Sequence, residues 1–488
     1  VAMAGVAATM VTLVLERKPE MRLLRIAGAD VGQVRRTIVI ESGIIGLVSQ
    51  MLGLVVGVLL SLVLIHVINP QSFGWSIQFY LPWGFLVLAT VVTVLATMLA
   101  GLYPARWATR HGGGLMRATA VFVVLFGAGV ASSVQAEDAW KPAAPGHEYR
   151  FPSDHGSHPE HKIEWWYFTG NLRERGGAGK RLGYQLTFFR IGAVKEPESD
   201  SPWALRDVWM AHFAISDLSE GKYRCADRLN RAGPGLAGAS LEKMYVWNED
   251  WSCVQDADGV IQLSATDREM DLRLSLTEGE PPVIHGVDGI SQKGATQGNA
   301  SHYYTLARMP SAGVVRLGDR MFEVEGESWM DHEFGTSFLE KGQRGWDWFS
   351  AQLDDGSELM LFQIRREDGS DSDTSGTFVS PAGEVVHLPA GSFSLAASES
   401  WESERTGGNY PQRWTIEVPH LDLRLECRSA LAEQEFVADS TPGLGYWEGS
   451  VSYEGTRGGR NVAGVGYLEM TGYSGKSMTV WFGAESGE

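Results

Sequence analysis

The sequence predicts an all-β fold downstream of residue 147, built as two antiparallel β-barrels and preceded by an α-helical transmembrane segment. Short apolar and aromatic alternations, such as 164–172 and 183–191, are separated by Gly, Asp, Asn and Pro, which is typical of antiparallel strands. No long segment with a helical period of 3.6 residues competes with them. A repeat within this region indicates two barrels of one kind.

The repeat relates WWYFTGNL and GYQLTFFR to WDWFSAQL and SELMLFQIR. Phe168 aligns with Phe349, and the residues around them match at alternate positions, so matching side chains fall on matching strand faces. We therefore predict a first barrel over 147–335 and a second barrel over 345–485, with the boundary between Gly335 and Gly345. A cleft between two barrels is a preferred place for a site.

The charge of the chain divides sharply near residue 136. Residues 1–136 carry nine Lys or Arg and four Asp or Glu, which leaves 32 basic and 55 acidic residues downstream. An acidic body of this kind has no basic stripe to neutralise phosphates, so nucleic acid is excluded as an expected partner.

Two uncharged apolar segments predict membrane spans near the start of the chain. Residues 43–68 contain no Asp, Glu, Lys or Arg and exceed the roughly 20 residues that span a bilayer, and 81–104 form a second span. Basic residues cluster in 16–36 and 105–117, which places both clusters in the cytoplasm. Residues 1–15 resemble the remnant of an earlier span, and we expect an N-terminally truncated sequence in the inner membrane.

An export signal is predicted after these spans. Residues 116–136 contain Met116, Arg117, an apolar stretch and a closing Val-Gln-Ala, which predicts a signal peptide cleaved after Ala136, or a further span if it is uncleaved. In either case we expect 137–488 to be periplasmic. Because a signal peptide with its own initiator methionine begins at Met116, the sequence also suggests that two genes have been joined, either by gene fusion or by loss of a stop codon.

The membrane part resembles the C-terminal end of FtsX-like (MacB-class) ABC transporter permeases. The resemblance covers residues 1–112 and depends on E-R-K-P-E-M-R-L-L-R-I-A-G-A-D and L-Y-P-A-R-W-A-T-R. It implies that 16–30 docks on an ABC ATPase subunit. The alternative is an ordinary basic loop.

The segment ESWMDHEFGT and the strand before it predict a site for acid chemistry. Asp331 lies close in sequence to Trp329, and His302 and Tyr304 precede it at strand-like spacing. A carboxylic acid stays protonated in an apolar pocket, and aromatic side chains of this kind form such pockets but are rarely grouped around acids on a solvated surface. The alternative is a purely structural cluster of buried polar residues at the closure of a barrel, in which Asp331 accepts hydrogen bonds from backbone N–H groups.

A loop before the first strand carries His155, His158 and His161. Three imidazoles suggest a metal site, but a loop rich in Gly and Pro offers no fixed ligand geometry. We therefore predict no metal and no cofactor. The favoured role of this loop is to close the site mouth, with Glu164 and Trp165 pointing in.

The exported part carries the three cysteines of the chain. Outside the membrane a disulfide is allowed, and Cys225 with Cys253 can staple neighbouring strands. An odd number leaves one cysteine free.

Four ordered motifs carry a second resemblance. They are F-P-x-D-H-x-x-H-P-x-x-x-x-E-W-W-Y-F-T-G-N-L, M-A-H-F-A-I-S-D-L, W-M-D-H-E-F-G-T and G-W-D-W-F-S-A-Q-L-D-D-G. Together they resemble the AttH family, a lipocalin-like group that also contains carotenoid 1,2-hydratases. The resemblance implies two lipocalin-like barrels with a pocket at their junction.

The resemblance also implies site residues. The acid that protonates an alkene is Asp331, assisted by His302 and by two aromatic residues. Tyr304 stands where the hydratases have Trp, and Trp329 stands where they have Tyr. The predicted substrate-binding residues are Glu164, Trp165, Trp166, His212, His332, Glu333, Trp346 and Trp348.

The functional hypothesis is therefore an exported protein that binds an apolar, unsaturated small molecule and hydrates or isomerises it by protonation from Asp331. The alternative hypothesis is a non-catalytic module that binds a lipid or another apolar ligand and works with an ABC transporter.

Overall fold

The computed structural model describes residues 140–474, except 178, 196–200, 202–204, 234, 297, 337–338 and 441–443, with five further helical positions at 51, 54, 84, 90 and 93. The chain divides into two compact units, Val1–Ser133 and Val134–Glu488. Apart from those five positions, the predicted membrane, signal and ATPase-docking segments lie outside the described residues. Within the described part of the chain, no helix is both long and apolar enough to cross a membrane.

The all-β prediction, with two barrel-like sheets, is confirmed for the described part of the second unit. The strands of the first sheet are β1 (Ile163–Glu174), β2 (Arg181–Gly192), β3 (Asp207–Asp217), β4 (Lys222–Arg231), β5 (Ala237–Ala239), β6 (Tyr245–Asn248), β7 (Trp251–Gln255), β8 (Val260–Thr266), β9 (Met270–Thr277), β10 (Val283–Ile284), β11 (Ile290–Gln292), β12 (Ala300–Leu317) and β13 (Arg320–Gly335).

The first sheet curls until its ends approach each other. Its strand order is β4-β3-β2-β1-β13-β12-β9-β8-β7-β6-β5, and β10 and β11 pair with β12. Arg228 on β4 donates a hydrogen bond of 3.0 Å to the carbonyl of Asn248 at the end of β6. Side-chain hydrogen bonds therefore join the two ends of the sheet, where backbone hydrogen bonding between strands stops.

The second sheet follows after a short connection from Gly335 to Gln343. Its strands are β14 (Gln343–Leu353), β15 (Glu358–Arg366), β16 (Asp371–Val379), β17 (Val385–Leu388), β18 (Ser394–Glu402), β19 (Asn409–Val418), β20 (Leu423–Ser429), β21 (Glu435–Val437), β22 (Gly445–Arg457) and β23 (Arg460–Met470). Their order is β17-β16-β15-β14-β23-β22-β20-β19-β18, and β21 pairs with β22. Short 3-10 turns lie at Ser153–His155 and Pro419–Leu421.

The internal repeat corresponds to equivalent hairpins in the two sheets. Phe168 on β1 pairs with Leu186 on β2, and the aligned Phe349 on β14 pairs with Leu361 on β15. These four residues are buried in the interiors of their own barrels. Because aligned residues keep both their partner and their face, the two hairpins are structural equivalents.

A third apolar cluster joins the outer faces of the two sheets. It contains Tyr167 and Trp329 from the first sheet and Trp348, Phe362 and Tyr446 from the second. Hydrogen bonds cross the same boundary, since the Trp348 indole N–H donates to the Tyr303 hydroxyl at 3.0 Å. The barrels are therefore packed against each other by side chains from β1, β12 and β13 on one side and β14, β15 and β22 on the other.

The disulfide that the sequence allows between Cys225 and Cys253 is absent from the structure, where both residues are free thiols, as is Cys427. Cys253 is buried in the interior of the first barrel, whereas Cys225 packs against the cluster between the barrels. The two thiols therefore lie on opposite faces of the sheet.

Candidate functional site

A narrow cavity of about 60 Å³ lies between the two barrels. Aromatic side chains from both sheets form much of its wall, and carboxyl groups interrupt that wall. The aromatic lining includes Trp165, Tyr167, Phe189, Trp346, Trp348 and Phe362, and the acids are Asp331, Glu333 and Glu469. Apolar walls around a few acids are the arrangement expected of a small-molecule site.

Alternation along β13 directs Asp331 towards this cavity. Asp331 and Glu333 line the cavity, whereas Met330 is buried in the interior of the first barrel. Thr305 on β12 is the direct cross-strand partner of Asp331. Directly opposed residues of an antiparallel pair share a face, so Thr305 points to the same side.

Neighbouring side chains hold the Asp331 carboxyl group in place. The Thr305 hydroxyl donates to Oδ1 at 2.5 Å, the Trp329 indole N–H donates to Oδ1 at 2.7 Å, and the Tyr303 hydroxyl donates to Oδ2 at 2.7 Å. Burial raises the pKa of Asp331 to about 7 and outweighs these hydrogen bonds, which favour the ionised form. Near neutral pH, a substantial fraction of Asp331 therefore carries a proton.

A chain of hydrogen bonds continues from Asp331 into the second sheet. His285 Nε2 lies 2.6 Å from the Thr305 hydroxyl oxygen, and His285 Nδ1 lies 2.8 Å from the Thr377 hydroxyl on β16. Since the Thr305 hydroxyl donates to Asp331, the His285 Nε2–H must be the donor to Thr305. Burial lowers the pKa of His285 to about 3, so this imidazole is neutral.

Further buried acids adjoin Asp331. Burial, together with the nearby acids Glu333 and Asp331, raises the pKa of Glu469 on β23 to about 8. Glu448 on β22 accepts a hydrogen bond of 2.7 Å from the Tyr167 hydroxyl, and burial holds the pKa of Glu448 well above its usual value. Lys293 pairs with Glu333 at 3.0 Å. The cavity thus combines protonated acids with one compensated carboxylate.

His302 and Tyr304 do not lie beside Asp331, which corrects the predicted grouping of these residues. Both are buried on the other face of the sheet, where the Tyr304 hydroxyl lies 2.7 Å from His155 Nδ1 and 3.0 Å from His332 Nδ1. The register of β12 against β13 shifts between Leu306 and Met309. This β-bulge inserts one residue and turns the N-terminal half of β12 over, so His302 and Tyr304 face away from Asp331.

The predicted substrate-binding residues divide between the same two faces. Trp165, His212, Glu333, Trp346 and Trp348 line the cavity between the barrels. Glu164, Trp166 and His332 do not; they are buried on the opposite face.

Glu164 is an ionised structural group rather than a residue of the cavity. It accepts hydrogen bonds from Arg190 Nε at 2.9 Å and from the Ser157 hydroxyl at 2.6 Å. Burial opposes ionisation, but the guanidinium and His158 hold the pKa of Glu164 well below its usual value. The expectation that Glu164 points into the site is therefore wrong, because its position on β1 directs it away from the cavity.

The histidines of the loop before β1 contact different partners. His155 bonds to Tyr304, His158 lies between Asp154 and Glu164, and His161 packs against Phe334. They do not converge on one another as a three-histidine ligand set.

Tyr303, Thr305, Tyr167, Lys293 and Glu469 belong to the site but were not predicted. Alternation could have found Tyr303 and Thr305 if the register of β12 and β13 had been known. Nothing in the local sequence around Glu469 indicates that β23 crosses against the first barrel.

Two packed barrel-like sheets with buried acids between them define a double-barrel protein of the lipocalin-like type. The chain belongs to the AttH-like family, whose model matches residues 142–473. A protein solved as AttH from Nitrosomonas europaea is 33% identical and superposes with a TM-score of 0.62, covering 68% of this chain and 99% of its own. A dehydratase of Emericella nidulans is 22% identical over 288 residues, which are 54% of this chain and 77% of its own length.

Residues 1–112 match the model of the FtsX-like permease C-terminal region. An uncharacterized ABC transporter permease of Mycobacterium tuberculosis is 33% identical over 105 residues, which are 22% of this chain but only 12% of that protein. The chain thus joins a permease-like segment to an AttH-like region, and it spans a small part of the permease it matches.

Proposed function

We propose that the AttH-like region hydrates or dehydrates an apolar small molecule in the cavity between the barrels, with Asp331 as the general acid. The observation that carries this proposal is a fully buried Asp331 whose pKa is raised to about 7 inside an aromatic wall. An acid with a pKa near the working pH is both protonated and able to give up its proton.

In the hydration direction, the O–H of Asp331 transfers its proton to one alkene carbon. A C–H bond forms with the π electrons and leaves a cation at the other carbon. Water then forms a C–O bond to that carbon and returns a proton to the Asp331 carboxylate. The acid is regenerated and no oxidant is required; dehydration is the same sequence in reverse.

The walls of the cavity suit this intermediate. Tyr167, Trp165 and Trp348 present ring faces or edges to the same space as Asp331. Attraction between a desolvated cation and an aromatic face is worth up to about 2 kcal/mol. Protonated Glu469 adds no fixed negative charge that would compete for the proton.

The neutral imidazole of His285 orients the Thr305 hydroxyl group towards Asp331. Its Nε2–H fixes the Thr305 hydroxyl as the donor to Asp331 Oδ1. This arrangement stabilises the carboxylate as it forms and keeps the other oxygen, Oδ2, for Tyr303 and the substrate.

The relative from Emericella nidulans, which is called a dehydratase, supports the same reaction class for this chain. We further propose that residues 1–136 lie in the inner membrane, with the AttH-like region in the periplasm and 16–30 against an ABC ATPase. The permease-like match to residues 1–112 supports that context.

A second candidate function is a carrier that binds an apolar ligand without changing it and exchanges it with a transporter. The permease-like segment in the same chain favours this alternative.

The two functions are separated by incubating the full chain with myrcene and linalool, an alkene and its hydrated tertiary alcohol, in water enriched in ¹⁸O. Hydration predicts ¹⁸O in the alcohol, formed by wild type and lost in Asp331→Asn. A folded chain that retains either compound in native mass spectrometry, yet converts none of a panel of such pairs, contradicts the enzyme and supports the carrier.

A further inference from the structure

A cluster of histidines and carboxylates lies across the sheet from Asp331 and has no role in the proposed chemistry. His147 Nε2 lies 2.7 Å from Asp154 Oδ1, and His158 Nε2 lies 3.2 Å from the same oxygen. One ligand atom from each residue lies within 4.8 Å of the others. Two imidazoles and one carboxylate are a ligand set used by zinc and by ferrous iron in proteins.

His158 Nδ1, the ring nitrogen that faces away from Asp154, contacts a carboxylate, as the second nitrogen of a metal-binding histidine usually does. His158 Nδ1 lies 3.0 Å from Glu164 Oε1, and Glu164 is completely buried. Metal-binding histidines usually donate their second N–H to a carboxylate, which fixes the ring and its tautomer. Glu164 thereby directs His158 Nε2 towards Asp154 and His147.

Fixed charge around the cluster favours a dication. Arg190 contacts Glu164 at 2.9 Å and Asp207 at 3.1 Å, so one guanidinium is shared between two carboxylates. Asp154 adds a third carboxylate. These three carboxylates outnumber the single guanidinium, and the excess negative charge favours a divalent cation.

Buried imidazole nitrogens beside the cluster lack partners. Within the described part of the chain, neither ring nitrogen of His161 nor Nδ1 of His302 makes a hydrogen bond of normal geometry. The His302 ring centroid lies 4.7 Å from that of His147 and 5.4 Å from that of His161. Buried polar atoms are rarely left unsatisfied, so these ring nitrogens are available to a polar group or a metal-bound water beside His147.

A neighbouring set, His158 with Glu164 and His332, suits a cation less well. Glu164 already accepts hydrogen bonds from Ser157 and Arg190. A cation bound there would face the Arg190 guanidinium at close range. The charges thus favour the side of His158 that faces Asp154.

We propose that His147, Asp154 and His158 bind one divalent first-row transition metal ion of the zinc or ferrous type, with Glu164 orienting His158. The ion would hold His147 against Asp154 and His158 within the loop before β1. This inference departs from the sequence-based expectation of no metal, and it does not depend on the proposed hydratase function.

The test uses the untagged full chain, stripped of metal and titrated with Co²⁺ while its visible absorption is recorded. We expect one Co²⁺ per chain, with d–d bands that Zn²⁺ abolishes on displacement. His147→Gln and Asp154→Asn should each weaken binding at least about tenfold, since loss even of an outer partner typically costs about 10- to 100-fold. His420→Gln, which removes an exposed imidazole elsewhere, is the matched control.

Circular dichroism of each variant separates a lost ligand from a lost fold. The His147 side chain is 21% exposed, so its replacement should be tolerated even if Asp154→Asn unfolds. The proposal is overturned if folded wild type binds no stoichiometric Co²⁺, or if His147→Gln binds it as tightly as His420→Gln does.

Discussion

The Thr305 hydroxyl on β12 donates a hydrogen bond of 2.5 Å to Asp331 Oδ1 on β13, directly across the strand pair. The two side chains face the second barrel together with Trp329 and Tyr303. His302, on the same strand as Thr305, faces the opposite side. The partners that β12 supplies to the proposed acid therefore come from odd-numbered positions, and Trp329 is a further partner from β13 itself.

The division of the sheet into two faces predicts unequal effects of mutation. Asp331→Asn keeps the shape of the side chain but removes its proton, and general acid catalysis typically contributes about 10²- to 10⁴-fold to a rate. We expect a loss of that size in kcat for any substrate the wild type hydrates, with ligand affinity changed only a few fold. His302→Gln should lower kcat by less than about tenfold, and an equal loss in both variants would contradict the assignment of faces.

The raised pKa of Asp331 predicts an alkaline limb in the pH profile. Only the protonated acid donates, so kcat should fall as pH rises through about 7. Tyr303→Phe removes a hydrogen bond that favours the carboxylate, so the pKa of Asp331 should rise and the limb should move up by roughly 0.5–1 pH unit. Tyr304→Phe changes a residue on the other face and should leave the alkaline limb in place. An alkaline limb that shifts in Tyr304→Phe would contradict the assignment of the two faces.

Protein stability should also depend on Asp331. Its pKa is raised from 3.8 to about 7, so its stabilising contribution is fully present below 3.8 and is lost as pH rises through about 7. Between these values unfolding releases a proton, which lowers the free energy of unfolding at higher pH. Urea unfolding followed by tryptophan fluorescence at pH 5 and pH 8.5 should show a smaller decrease in Asp331→Asn, by on the order of 1–4 kcal/mol. Identical decreases would show that Asp331 ionises normally.

The buried pair of Glu164 and Arg190 predicts a large loss of stability without direct loss of chemistry. Glu164→Gln leaves the Arg190 guanidinium buried without its contact at 2.9 Å, and breaking such a pair typically costs about 3–5 kcal/mol. Glu325→Gln, which breaks an exposed pair with Arg173, is the control and should change the unfolding midpoint little. Equal midpoints for both variants would refute a structural role for Glu164.

The membrane topology is tested with reporter fusions after Arg36 and after Trp140. Basic clusters on the cytoplasmic side predict no alkaline phosphatase activity at the first position and high activity at the second. Phosphatase activity after Arg36, or none after Trp140, would be incompatible with a periplasmic AttH-like region.

Much of the architecture follows from local pattern. The aromatic run in 164–172 indicates a strand, and alternate residues of this run face the interior of the first barrel and the cavity between the barrels. The repeated phenylalanines Phe168 and Phe349 indicate equivalent hairpins, and both pair as that alignment requires. The presence of Asp331 among aromatic residues also indicates a buried acid, whose pKa is raised as expected.

The partners of that acid depend on the tertiary structure. If β12 and β13 paired without interruption from the turn that joins them, His302 and Tyr304 would lie on the same face as Asp331. The bulge between Leu306 and Met309 shifts the register by one residue and places them on the opposite face. Bulges depend on twist and packing rather than on a local sequence signal.

The sequence by itself determined the all-β class, the two related barrels and a buried acid at Asp331, because these follow from alternation and local composition. Only the tertiary structure decided that Thr305 and Tyr303 replace His302 and Tyr304 beside that acid, and that Glu469 joins it from the other barrel. The physical reason is that strand register and barrel packing are set by contacts between residues far apart in the chain, which no local pattern encodes.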